Sequence, residues 1–387
     1  MEIDRAQYLV SNAGHDALAD VPPEYARLDP NQLATALRRD HPARDAAALA
    51  EQVVLREKAR ARYGEDSGFL FTADGLEMMT HPVVARRRAA RLATLGLPVA
   101  DLTCGLGGDL SAVAATSTRS VGLERDAATA LLARANSPGA AVLRGEAKWP
   151  PLELSQFAVI VDPSRRAAAG RRFDPAAFSP PWDVALELLA SARAGVLKAP
   201  PGIGHAHLPP TSEVEFVQLG RSMREAAVWL GERTSPGLRR AVLLPSGAEI
   251  LSTDPEAPAE TAQPGPFLFD PESCVTLAGL VRHLAARLDG RLMDPQVAYL
   301  TADEPTFDPL CATFEVLDRL PFSISRLKAR LRDSEWKPDE IRRRAFPIEP
   351  DELRRLLGRL EGNPVTLLLT TIAGARTVFV ARRLFPA

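Results

Sequence analysis

The chain has little of what marks a secreted, membrane-bound or metal-stapled protein. Only three of its 387 residues are cysteine, Cys104, Cys274 and Cys311. They are widely separated and form no CxxC or Cys/His ligand spacing. That argues against a disulfide framework and a zinc site and fits a reducing compartment. No metal is expected. Long apolar runs are missing too, since nothing approaches the roughly 18 residues of a membrane span. The first twenty residues, MEIDRAQYLVSNAGHDALAD, are polar and acidic, without the apolar stretch of a signal peptide. The expectation is a cytoplasmic protein with no membrane partner. Aromatic residues make up only 6% and the net charge is −2, so any pull toward nucleic acid must come from local basic patches. What is there, 46% apolar and 25% charged residues over this length, suits a globular protein of two or three domains.

Residues 1–95 read as a helical N-terminal domain, because apolar residues recur at three- and four-residue spacing in Leu33 to Arg39 and Ala46 to Tyr63. A turn-rich segment around Phe69-Leu70-Phe71 is followed by a basic amphipathic helix, His81 to Leu95, carrying Arg86, Arg87, Arg88 and Arg91. At Leu97 the period changes. Short apolar runs at 98–102, 120–123, 141–143, 157–161 and 195–197 alternate with helical stretches, which predicts βαβ units and a mostly parallel sheet over residues 96–253. The runs at 214–219, 225–230 and 240–244 read as antiparallel strands finishing that sheet. Residues 254–311 read as a Pro- and acid-rich linker and a helix at 274–288. Residues 312–387 read as a small α+β domain: strand 314–317, helix 323–332, strand 340–345, helix 350–360, and two strands, 365–371 and 377–381, joined by a turn at 373–375.

The chemistry concentrates in VADLTCGLGGDL, Val99 to Leu110. A strand ends in Asp101, a loop carries Gly105, Gly107 and Gly108, and a helix begins near Asp109. Glycines let a ligand approach the main chain, and ligands of open α/β sheets sit at the carboxyl ends of the strands. The next strand ends in Glu124, placed to accept ribose hydroxyls, and Glu146 follows the third strand near an adenine. A dinucleotide fingerprint would place a small residue where Leu110 stands, and Asp101 would repel a pyrophosphate. An acid there suits the methionine ammonium of S-adenosylmethionine (SAM). Cys104 reads as a small side chain packed under the loop.

DLTCGLGGD resembles the first motif of class I methyltransferases, above all the trimethylguanosine-synthase-like branch. The chain is similar nearly throughout to bacterial class I SAM-dependent methyltransferases with a C-terminal THUMP-like domain. The likeness takes in the pre-core segment from Leu70 to Ala93, DPSRR (Asp162 to Arg166), KAPPGI (Lys198 to Ile203) and the terminal β-α-β-α-β-β segment. It implies a Rossmann-like core and SAM as cofactor. It also implies cofactor contacts by Phe71, Thr72, Asp101, Thr103, Cys104, Gly105, Gly107, Gly108, Asp109, Glu124, Arg125, Asp126, Glu146, Ala147, Asp162 and Pro163.

The fourth strand delivers Asp162 and Arg165 to the same edge as candidate catalytic residues, with Arg166, Arg171 and Lys198 as candidates for substrate binding. Amino-methylating relatives carry [DNS]-P-P-[YFW] there. This chain keeps Asp162-Pro163 but replaces the second proline and the aromatic with Ser164-Arg165, a departure from base-amine chemistry. Uracil-C5 chemistry needs a cysteine after the fifth strand, where LKAPPGIGHAH has none. Ser179-Pro180-Pro181-Trp182 lies too far along to replace the motif and reads as a helix start. In-line transfer beside Asp162, acting as hydrogen-bond acceptor or base, is the remaining expectation. Residues 326–344 interleave eight basic residues with four acidic ones and Trp336, a pattern that can hold RNA. An RNA partner is therefore expected. A small-molecule or protein acceptor, and a SAM-binding protein without transferase activity, are the alternatives.

Overall fold

The computed structural model describes residues 1–64, 68–116, 119–165 and 174–385. The chain divides into two compact units, residues 1–213 with 226–237, and residues 214–225 with 238–387.

The first unit opens with helices, as the periodicity predicts. Helix Asn12–Ala19 starts at Ser11, whose side chain accepts the Gly14 N–H, and helix Pro30–Leu37 starts in a capping box of Asp29 and Gln32. Such caps satisfy the orphan N–H groups of the first turn. The long helix Ala43–Tyr63 stops at Gly64, whose φ of 72° is left-handed, as helix C-termini favour. Together with helix Ile3–Val10, these helices bury Leu9, Leu33, Leu49 and Leu55 in one cluster with Leu132 of helix Ala127–Asn136. The helical segment thus shares a core with one of the helices that pack on the sheet that follows it.

That sheet contains β1 (Val99–Asp101), β2 (Ser120–Glu124), β3 (Ala141–Arg144), β4 (Ala158–Val161) and β5 (Ala194–Ala199). The order is β5-β4-β1-β2-β3, all parallel, and residues 226–231 add antiparallel to β5. This is the Rossmann-like arrangement expected. The centre is apolar on both faces: Val99, Ala158, Ile160 and Val196 are fully buried with Leu92 and Val113. Each buried valine, isoleucine or leucine among them contributes about 1.5–3 kcal/mol by leaving water. β3, in contrast, is an exposed edge, with Leu143 38% accessible.

In the second unit, Arg239–Leu244 pairs parallel with Glu213–Leu219 and antiparallel with Ala248–Leu251. The expectation of antiparallel strands through this region therefore holds for the strand beside β5 and not for the pair 214–219 and 239–244. A seven-stranded sheet follows, in the order Arg291–Asp294, Val297–Ala302, Phe267–Pro271, Cys311–Pro321, Ala375–Arg383, Asn363–Ile372, Trp336–Arg344. Three of its strands fall within 254–311, which the sequence suggested was a linker and one helix. The helix expected at 274–288 is two, Ser273–Ala278 and Val281–Arg287, because Gly279 adopts φ 68° between them. Helices Ile324–Asp333 and Pro350–Leu357 lay Leu327, Leu331, Leu353 and Leu357 on one sheet face. Among the described residues no helix is long and apolar enough to cross a membrane.

Candidate active site

A cavity of about 780 Å³ opens at the carboxyl ends of β1, β2 and β4. The glycine loop forms its floor. Gly105 has φ 52° and nothing within 4 Å of where a side chain would project, so its backbone lies open. At Gly107 (φ 89°) the space is taken, because a Cβ would sit 2.5 Å from Ser137 Oγ. One glycine serves approach by a ligand and the other serves packing. Leu110, fully buried, packs with Cys104 and Ala133. Gly122 in β2 makes that possible, since a Cβ there would meet Leu110 at 2.5 Å and the Cys104 sulfur at 2.9 Å. Burial first, then the nearby Asp101 and Glu124, push the Cys104 thiol far above its usual range, so it holds its proton.

The segment before the sheet is tied to this loop. Asn136 accepts the Leu70 N–H at 2.8 Å and donates to the carbonyls of Leu70 and Leu106, each at 2.9 Å. Gln52 clasps both backbone groups of Phe71 at 2.8 Å. Phe71 is consequently buried beneath the site and does not line the cavity, whereas Thr72 does.

Three acids stand around the floor. Glu124 accepts the Asp126 N–H through one oxygen at 2.8 Å, and Asp126 caps the following helix by accepting the Thr129 N–H at 2.8 Å. Glu146 lies two residues beyond β3, in the loop with Ala147 and Lys148, and lines the cavity with them. Asp101 is 2% exposed and accepts the Thr103 N–H at 3.2 Å. Burial and, next, Asp109 push its carboxyl up to about 8 from an ordinary 3.8, outweighing the Thr103 hydrogen bond and Lys198. At neutral pH this buried carboxyl therefore retains its proton until a cation arrives beside it.

Asp162 follows β4, its backbone N–H donating to Thr103 Oγ1 at 2.6 Å, and its side chain is 37% exposed on the cavity. Lys198 of β5 is paired with it. The Lys198 ammonium also donates to Thr80 Oγ1 at 2.6 Å and lies 3.5 Å from Asp109. Thr80 donates in turn to Asp109 Oδ2 at 2.6 Å, and Asp109 is ion-paired with buried Arg88. Burial would raise the Asp109 carboxyl, but Arg88 and then Lys198 overcome it and hold it below the usual carboxylate range. Asp109 lines the cavity yet spends its oxygens on these partners, at odds with a direct cofactor contact.

Of the residues singled out from sequence, Thr72, Asp101, Thr103, Cys104, Gly105, Gly108, Asp109, Glu124, Arg125, Asp126, Glu146, Ala147, Asp162 and Pro163 meet around one cavity. Gly107 and Phe71 stand behind its wall. Lys198, a candidate for substrate binding, sits beside Asp162 and is not among the residues that line the cavity. Arg165 falls in the two-residue strand Ser164–Arg165, paired with Phe178–Ser179, and Arg166 and Arg171 lie outside the described residues. Three contributions were missed. Arg88 reads as one more charge on a basic helix, and only its position on the inward face marks it. Thr80 carries no signal. Ser179 and Pro180 reach the cavity wall although Trp182 beside them begins a helix and is buried, as the helix-start reading requires.

Comparison with known proteins places this geometry. The family described as THUMP domain-like matches residues 311–383, and a family described as a domain of unknown function matches residues 2–59. Two Mycobacterium tuberculosis proteins, from strains CDC 1551 and H37Rv, each named an uncharacterized S-adenosylmethionine-dependent methyltransferase, are 34% identical over 353 residues, 86% of this chain and 96% of theirs. A crystal structure of a protein assigned as a methyltransferase, from Porphyromonas gingivalis W83, shares the fold with a TM-score of 0.76 at 24% identity, covering 96% of this chain and 99% of that one. The cavity at the strand ends, the bare Gly105 backbone and the acid closing β2 fit the cofactor those relatives are named for. The chain belongs to the class I S-adenosylmethionine-dependent methyltransferases that carry a C-terminal THUMP-like domain.

Proposed function

We propose that this methyltransferase acts on RNA, with Asp162 orienting the acceptor. The observation that carries the reading of Asp162 is its half-open carboxylate at the end of β4, on the same cavity as the glycine loop. Asp101 would receive the methionine ammonium of SAM, the Gly105 backbone would pass beside the sulfonium, Glu124 would take the ribose hydroxyls through its remaining oxygen, and Glu146 with Ala147 would border the adenine. SAM supplies an activated methyl group. The protein's part is to hold the acceptor in line with it and to accept a hydrogen bond from the atom that attacks. A carboxylate without a neighbouring aromatic is enough to orient an amine or a hydroxyl.

The RNA assignment rests on the THUMP-like match and on the local charge of residues 326–344. There, Arg342 and Arg344 turn inward onto Asp270, at 2.7 and 2.6 Å, Arg343 pairs with Glu349, and Arg330 pairs with Asp318 while covering Trp336. Half of the eight basic residues are thereby matched. Arg326, Arg332 and Lys337 are exposed and are the candidates for phosphate contact. On this reading the THUMP-like segment, residues 311–383, supplies the RNA contacts, and the protein works in the cytoplasm. Tritium from methyl-labelled SAM should enter total cellular RNA. Label confined to protein or metabolite fractions would refute the RNA substrate.

A further inference from the structure

Beneath Asp162 lies a line of polar groups running back to the helix Pro82–Ala93. Arg88, 3% exposed, pairs with Asp109; Thr80 donates to Asp109 at 2.6 Å; Lys198 donates to Thr80 at 2.6 Å and pairs with Asp162. Charges alternate along it: guanidinium, carboxylate, ammonium, carboxylate. Only the last member is substantially open, at 37% against 2%, 8% and 10% for the side chains of Arg88, Asp109 and Lys198. The three ammonium hydrogens of Lys198 face three oxygens, those of Asp162, Thr80 and Asp109, so the lysine has a fixed direction. Its contact uses Oδ2 of Asp162, a residue that lines the cavity.

We propose that Thr80 and Lys198, backed by Asp109 and Arg88, form a positioning device that locks the Asp162 carboxylate in the orientation the acceptor requires. This rests on the reading of Asp162 given above. Thr80 and Asp109 reach the cavity wall, while Arg88 and Lys198 stand behind it. They act through Asp162, and the pre-core segment that supplies Thr80 and Arg88 is thereby part of the catalytic apparatus. A free carboxylate rotates about its side-chain bonds. Pinning one oxygen removes that freedom before the acceptor arrives, the kind of support from behind that separates a functioning site from a loose one.

Thr80→Val keeps the shape of the side chain and removes the hydroxyl that joins Lys198 to Asp109. It should lower kcat about tenfold with the KM of the RNA and the Kd of SAM changed less than threefold, and Thr80→Ser should restore kcat. Lys198→Met should lower kcat about a hundredfold with the same pattern. Loss that follows SAM affinity, or unchanged kcat with only a lowered melting temperature, would overturn the proposal.

A readout that needs no substrate separates this from the RNA assignment. The protein has five lysines. With 15N-labelled lysine, the slowly exchanging ammonium of Lys198 should give a resolved NMR signal that is lost in Lys198→Arg and shifted in Asp162→Asn and in Thr80→Val. A Lys198 signal indifferent to both changes would contradict the network even if the enzyme methylates RNA, and a shifted signal in a protein inert toward RNA would refute the substrate alone.

Discussion

The two halves of the cavity are built in different ways. The half proposed to hold the cofactor is a single stretch of chain, β1 to the loop after β3, in which loop glycines and strand-end acids have few side-chain partners. The half proposed to present the acceptor is assembled from Thr80, Arg88, Asp109, Asp162 and Lys198, residues up to 118 positions apart that pair with one another. The first half accepts a ligand by leaving backbone bare, and the second fixes a single carboxylate by surrounding its supports. Binding and transfer should therefore fail independently when either is damaged.

The largest effect is expected on the acceptor side. Asp162→Ala should lower methyl transfer about a thousandfold while SAM affinity, read by calorimetry, stays within threefold. Retained turnover would remove Asp162 from the chemistry. Arg88→Met removes the closest charge partner of buried Asp109 and should destabilise the fold by about 3–5 kcal/mol in denaturant titration, the usual consequence of breaking a buried pair from one side. On the cofactor side, Glu124→Ala should weaken SAM binding about tenfold to a hundredfold, near the ~1.5–3 kcal/mol of a hydrogen bond to a charged group, with the fold unaffected.

A pH series sharpens the contrast. The ligand-free Asp101 carboxyl titrates near 8, and an ammonium beside it favours the ionised form. Below that value, SAM binding must displace a proton. Affinity should improve with rising pH by up to about tenfold per unit and level off above 8, with proton release seen as buffer-dependent binding heat. Affinity that is flat from pH 6 to 8 would show that Asp101 does not meet the ammonium. The same shift has a stability consequence of fixed sign. Because the folded value lies above the ordinary 3.8, this group's contribution to the ligand-free fold is full below 3.8 and is lost as pH rises to about 8.

How much of this could be read from residues alone follows the same division. A contiguous motif carries its own geometry, so Asp101, Gly105 and Glu124 are legible where β1 and β2 run parallel, joined by the glycine loop and the helix Gly108–Ala114. The acceptor side depends on tertiary contacts that no local period encodes. Lys198 is visible as a charge in KAPPGI, but its burial under Asp162 is set by β5 lying next to β4. Arg88 disappears among three consecutive arginines, and only the packing of its helix selects it. In the second unit, the strands at 267–271 and 291–302 are hidden because Pro-rich and acidic residues before them read as linker, while their partner outside this region, Cys311–Pro321, pairs with residues up to 48 positions earlier (Phe267 with Glu315).

The most direct test is nucleoside mass spectrometry of RNA from cells that carry the native protein, lack it, or carry Asp162→Asn at matched abundance. A methylated nucleoside present only with the native protein is the predicted result. A nucleoside profile identical in all three would contradict the assignment of RNA as the substrate and Asp162 as the residue that presents it.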